Sequence, residues 1–186
     1  VTHDELVEIG RRWLLRPWRN AAREGHSACA VVLTELNTWN YTGEIPDVLG
    51  WDVSKGRSIL IECKTSVSDF RADAAKPFRR VPEEGIGTFR FFLAPAGLLP
   101  VDRLPAGWGF LEVGDMGRVT VARASEEFPC RRDAEVALLV SVMRRLEVKE
   151  GPHIAIRAYT KSLSDGLRAS VSIDVGTEEM SAGEES

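Results

Sequence analysis

Glu62 and Lys64 place a carboxylate and an ammonium two residues apart in the segment SILIECKTSVSDF, Ser58 to Phe70. Ile59, Leu60 and Ile61 lead into them and read as a buried strand. Residues i and i+2 of a strand share a face, so Glu62 and Lys64 lie side by side while Ile59, Ile61 and Cys63 face the other way. A charge directed at a core is normally paired, metal-bound or set in a wet cleft. Asp47 begins the preceding strand and adds a second carboxylate. If the connecting turn lies at Lys55 and Gly56, Asp47 stands opposite Lys64 with Glu62 on the diagonal. If the turn centres one residue earlier, Asp47 stands opposite Glu62. Cross-strand and diagonal neighbours are about 5–8 Å apart, so either register gathers Asp47, Glu62 and Lys64 at one end of the sheet. Glu35, at the end of an earlier strand, reaches the same end. Such a set suits a hard divalent cation, and Mg²⁺ favours carboxylate oxygens while keeping several waters. The ion would neutralise a phosphate and supply a bound water as nucleophile. Lys64 would orient that water or stabilise developing charge. The chemistry that fits is metal-assisted phosphodiester hydrolysis; the plainer alternative is an ion pair between Glu62 and Lys64 on an exposed strand face.

The elements that must position these groups follow from periodicity. Thr2-His3-Asp4-Glu5 reads as a capping box ahead of a helix whose buried face is Leu6, Ile9, Trp13 and Leu14. Pro17 restricts its neighbour and predicts a break or a second short helix ending near Gly25. Ala28–Leu36 reads as the first strand, Asp47–Val53 as the second and Ser58–Lys64 as the third, the last two forming an antiparallel hairpin. A serine-capped helix follows Lys64 until Pro77 interferes. TFRFFLAP, GWGFLEV and RVTVARA supply three more strands, the last pair joined through a turn at Gly114–Gly117. RRDAEVALLVSVMRRLEV, Arg131 to Val148, reads as an amphipathic helix. The order predicts an α/β fold, a mixed β-sheet core flanked by α-helices, over residues 1–172, with an acidic tail at 173–186 expected to be disordered.

Composition bounds the partners. The chain has 186 residues and is 44% hydrophobic, enough for a packed core, and no apolar run is long enough to span a membrane. Val1–Trp13 carries no secretory apolar segment. Cys29, Cys63 and Cys130 form no CxxC pair and His3, His26 and His153 are scattered, so reduced thiols, no zinc pattern and a cytoplasmic location are expected. Net charge is −4, but Asp174, Glu178, Glu179, Glu184 and Glu185 sit in the final segment, and without those five the rest carries +1. Basic residues cluster at Arg11, Arg12, Arg16, Arg19 and Arg23, then at Arg71, Lys76, Arg79 and Arg80. Local clusters of this kind bear on anionic partners more than net charge does.

The motif IPDVLGWD…ILIECKTS resembles the signature of the PD-(D/E)XK nuclease superfamily, with Pro46-Asp47 and Glu62-Cys63-Lys64 at its matching positions. DFRADAAKPFRR and FRFFLAP are also similar to the MmcB-like DNA-repair subgroup, and the resemblance covers about Glu35 to Val113. The resemblance implies a restriction-endonuclease-like core. It implies metal binding by Asp47, Glu62 and the Cys63 backbone carbonyl, a catalytic Lys64, and Glu35 completing the acidic set, with Glu44 as competitor. The activity expected is a Mg²⁺-dependent DNA nuclease, with Mn²⁺ able to substitute, in DNA repair, recombination or phage DNA metabolism. Arg71, Lys76, Arg79 and Arg80 would hold the DNA backbone. A homodimer or docking to a larger assembly is compatible with this reading. The rival reading is a catalytically inactive nucleic-acid-binding or assembly protein that keeps the fold.

Overall fold

The structure is a computed structural model and describes residues 1–16, 28–35, 44–145, 147–149 and 155–157. The short helix expected after Pro17, with Arg19 and Arg23, and the acidic tail lie outside those residues. The chain divides into two compact units, Val1–Leu138 and Leu139–Ser186.

In the first unit, α1 (His3–Leu14) begins at the capping box: Thr2 accepts from the Glu5 N–H while Glu5 reaches back to the Thr2 N–H. Six strands form one mixed sheet in sequential order: β1 (Val31–Thr34), β2 (Val48–Asp52), β3 (Arg57–Cys63), β4 (Phe89–Pro95), β5 (Gly109–Val113) and β6 (Val119–Arg123). β1, β2 and β3 run antiparallel, β3, β4 and β5 parallel, and β6 returns antiparallel. The parallel centre explains the apolar runs of the sequence, because both faces of β3 and β4 are covered and Ser58–Cys63 and Arg90–Ala94 are buried throughout. The fold is α/β, a mixed sheet with flanking helices, as the order of elements predicts.

One face of the sheet packs Val48, Ile61, Phe91 and Leu93 against Leu6, Trp13 and Leu14 of α1. On the other face, Leu49, Leu60, Phe92 and Phe110 pack with Phe70 of α2 (Val67–Asp73) and with Ala134 and Leu138 of α4 (Arg132–Arg145). Ser66 caps α2 by accepting from the Asp69 N–H, and Pro77 opens α3 (Pro77–Arg80) at a position that needs no intrahelical donor.

Two buried charges tie this second face together. Glu135 Oε1 accepts from Ser58 Oγ (2.6 Å) and the Gly87 N–H (2.9 Å), and its Oε2 from Trp51 Nε1 (3.3 Å) and Arg132 (3.2 Å). The Arg90 guanidinium donates to the carbonyl oxygens of Gly87, Pro82 and Pro129 and lies over the Phe128 ring.

Two expectations need correction. β1 is shorter than Ala28–Leu36, because the Cys29 N–H is drawn to the Leu14 carbonyl (2.8 Å) and Glu35 turns the chain at φ 45°. The helix expected to Val148 stops at Arg145, and in the second unit β7 (Glu147–Lys149) pairs antiparallel with β8 (Ala155–Arg157). The backbone groups of residues 147–149 are satisfied by a strand partner and do not continue the helix.

Candidate active site

The β2–β3 ladder decides between the two registers. Val48 pairs with Ile61 and Leu49 with Leu60, which sets Asp47 opposite Glu62. The ladder closes through a short 3₁₀ turn, Val53–Lys55, and Gly56 at φ 62° and ψ 33°, a left-handed geometry that glycine adopts at no steric cost. Asp47 lies just before β2, where its own side chain extends the ladder: Oδ2 accepts the Cys63 N–H at 2.7 Å. Lys64 is anchored from the other side, its N–H donating to the Leu93 carbonyl of β4 (2.9 Å). Glu62 and Lys64 share a face, with Lys64 Nζ 3.6 Å from Glu62 Oε2, while Ile59, Ile61 and Cys63 pack on the α1 side.

Glu62 is buried inside a ring of cations. Lys76 Nζ lies 3.5 Å from Oε2, and Arg79 Nη2 lies 3.2 Å from Oε1. Despite this, Oε1 receives no well-formed hydrogen bond. Asp73, also buried, takes hydrogen bonds from Lys64 Nζ (3.2 Å) and Arg79 Nε (2.6 Å) and meets Lys76 Nζ at 2.7 Å. Burial raises the Asp73 carboxyl, but the Arg79 hydrogen bond and the charges of Arg79 and Lys64 outweigh it and hold the group at about 2. Glu44 closes the far side by accepting from Arg79 (2.7 Å) and the Ile86 N–H (3.0 Å); burial nevertheless pushes its carboxyl up. Burial opposes the charge of Arg79, yet Glu62, Asp73 and Glu44 together strengthen its hold on the proton. Its guanidinium also lies 4.5 Å over Trp108 and 4.8 Å over Phe78.

Asp47 behaves differently. Burial first, and then the neighbouring Glu62 charge, push its carboxyl up to about 6. Its Oδ1 lies 3.6 Å from His3 Nε2, which is in turn 3.5 Å from Glu35 Oε1. Two acids therefore approach the pair from opposite sides: Glu35 beside Asp47, half-exposed, and Glu44 beside Glu62 through Arg79. The Cys63 thiol is pushed up by burial and then by Asp47 and Glu62, so it stays protonated.

Sequence reasoning missed His3, whose scattered position hid that the capping box sets it at the start of α1, beside the strand ends. It also missed that Asp73 and Glu44 brace the cluster. Arg71 and Arg80 are exposed, whereas Lys76 is half-buried and Arg79 keeps only 4% of its side chain exposed, both engaged with carboxylates. Asp52 serves the turn, accepting from Ser54 Oγ at 2.6 Å. Trp108 is buried and stacks on Phe92 at 4.5 Å.

Among the described residues, no three His, Cys, Asp or Glu side chains converge as a metal-ligand set. Asp47 and Glu62 remain a facing pair, the Cys63 backbone lies beside them, and Glu62 Oε1, ion-paired with Arg79 at 3.2 Å, has no well-formed hydrogen bond. Two carboxylates are sufficient for Mg²⁺, which otherwise keeps water.

Behind Asp73 and Arg79 opens a cavity of about 230 Å³, lined also by Phe70, Phe92, Arg71 and Arg103.

No family model and no curated protein matches the sequence. Among solved structures, the chain is similar to a protein of unknown function from Silicibacter pomeroyi, at 25% identity, over 70% of this chain and 89% of that one, with a TM-score of 0.47.

Proposed function

We propose that this chain is a Mg²⁺-dependent DNA nuclease of the PD-(D/E)XK kind, with a restriction-endonuclease-like core. The observation that carries the reading is the β2–β3 register, which sets Asp47 opposite Glu62 with the Lys64 ammonium 3.6 Å from Glu62. Asp47, Glu62 and the Cys63 carbonyl would hold the cation, Mg²⁺ or Mn²⁺, with Glu35 nearest to completing the set. When bound, such an ion supplies charge neutralisation and an acidic water. Lys64 does the protein's share: its ammonium, fixed by Asp73, orients the attacking water and meets negative charge developing on the phosphate. Asp47, raised to about 6, is a carboxylate at neutral pH and is electrostatically receptive to a cation. Exposed Arg71 and Arg80 contact backbone phosphates, while Lys76 and Arg79 position the acids. A place in DNA repair, recombination or phage DNA metabolism, as a homodimer or docked to a larger assembly, belongs to the same proposal.

The test is incubation with supercoiled, linear, single-stranded and branched DNA in Mg²⁺, Mn²⁺ or EDTA. Cleavage that needs the metal and disappears in Asp47→Asn is expected. The reading fails if the parent never cuts, or if Asp47→Asn cuts as well as the parent. One observation favours a second reading, an inactive nucleic-acid-binding or assembly module: Lys64, Lys76 and Arg79 already surround Glu62 without any ion. On that reading Mg²⁺ leaves the melting temperature unchanged.

A further inference from the structure

We infer that the cavity behind Asp73 is a subsite for a single unpaired nucleotide of a DNA strand, an inference that deepens the nuclease reading by naming the form of its substrate. At about 230 Å³ the cavity exceeds the roughly 150 Å³ that encloses a benzene ring and takes one planar ring system. Val67, Ala74, Pro100 and Pro105 line it together with the margins of Phe70 and Phe92, which are otherwise buried in the core, so the slot is apolar. Arg71 and Arg103 are exposed at the same cavity and have no ion-pair partner among the described residues. An apolar slot beside unpaired guanidiniums matches a base with its phosphates.

Position ties the cavity to the proposed chemistry. Asp73 lines it and also bonds Lys64 Nζ at 3.2 Å, so one carboxylate separates the cavity from the ammonium. A stacked, paired base cannot enter a space of this size without leaving its partner, and extrusion costs least where the base is already unpaired. The substrate class is therefore a strand with a frayed, flapped or single-stranded nucleotide next to the bond to be cut.

The experiment measures binding of a labelled single-stranded 12-mer, the same strand with one abasic position stepped along it, and a blunt duplex. Ca²⁺ replaces Mg²⁺ so that no cutting occurs. Parent protein is compared with Ala74→Trp, which fills the cavity from an exposed position on its wall, and with Arg71→Ala/Arg103→Ala. The parent should prefer the intact strand over the least favourable abasic strand by about tenfold, the scale of burying one ring against apolar side chains. Ala74→Trp should abolish that ratio with an unchanged melting temperature. The double arginine variant should make the salt slope shallower by about 1.4 on single strands. A parent ratio near one, or a ratio that survives Ala74→Trp, overturns the subsite whether or not the protein cuts DNA. A ratio lost in Ala74→Trp supports the subsite even if a parallel Mg²⁺ assay finds no cleavage, in which case the nuclease reading alone falls.

Discussion

Lys64 shows how differently one side chain behaves in the two functional readings. It is buried against Glu62 and Asp73, with Asp69 at 3.9 Å. Lys64→Met leaves those acids with Lys76 and Arg79, so a moderate loss of about 1–3 kcal/mol is expected in thermal melts. Cleavage should fall by roughly 10²-fold or more. An unchanged rate in a folded variant would remove Lys64 from the chemistry. Arg79 is the opposite case. Its guanidinium is shared by Glu44, Glu62 and Asp73, and removing one member of such a buried set costs about 3–5 kcal/mol. Arg79→Ala should therefore fail in a melt before it fails in a binding assay. Arg71→Ala/Arg80→Ala should melt like the parent while reducing the duplex-DNA salt slope by about 1.8. If Arg79→Ala melts normally and binding alone suffers, Arg79 is a phosphate ligand after all.

Among the elements, the link between α4 and the sheet is the one most exposed to a single substitution. Glu135→Ala would leave Ser58 Oγ, the Gly87 N–H and Trp51 Nε1 without their acceptor. A loss of about 3 kcal/mol or more is expected in urea unfolding, with Glu135→Gln nearer the parent because its oxygen still accepts. Equal midpoints for the two variants would show that the charge, and not acceptance, matters. None of this was legible in the sequence, where Glu135 reads as an ordinary acid of the first helical turn. The hairpin was legible because Asp47–Val53 and Ser58–Lys64 combine apolar strand patterns with a turn between them. Its register was not, since two placements of the turn differ only in the backbone conformation around Gly56. The acidic and basic residues that brace Glu62 come from positions 44, 73, 76 and 79, which only the crossover between β3 and β4 and the segment before β2 bring together. Charge runs on a helix give no sign of that convergence, so Arg79 read as a surface cation.

For the molecule as a whole, stability against pH follows from buried carboxylates displaced in opposite directions, Asp73 downward and Asp47 and Glu44 upward. Asp73 is held at about 2, below its ordinary 3.8, so its contribution is fully present above 3.8 and is lost as pH falls through 2. Asp47 is raised to about 6, so its contribution is present below 3.8 and is lost as pH rises through 6. Urea midpoints should climb from pH 2 to 4 and then level or decline between 4 and 6. Asp47→Asn should lessen the decline, leaving the part due to Glu44, and millimolar Mg²⁺ should act in the same sense by favouring the ionised Asp47 carboxyl. A parent profile that rises unbroken to pH 7 would contradict the placement of Asp47 beside Glu62. The cluster around Glu62 has a further consequence for how ligands load. Glu44, Glu62 and Asp73 face Lys64, Lys76 and Arg79, and Asp47, ionised at neutral pH, stands beside Glu62, so four carboxylates meet three cations. A divalent ion entering there leaves an excess of one positive charge unless an anion enters with it. Metal and nucleic acid should therefore be thermodynamically linked, each tightening the other's binding by the same factor. Calorimetry should find weak Mg²⁺ binding to the protein alone and a several-fold gain with a non-cleavable phosphorothioate strand, and equal affinities would mean that the two ligands load independently.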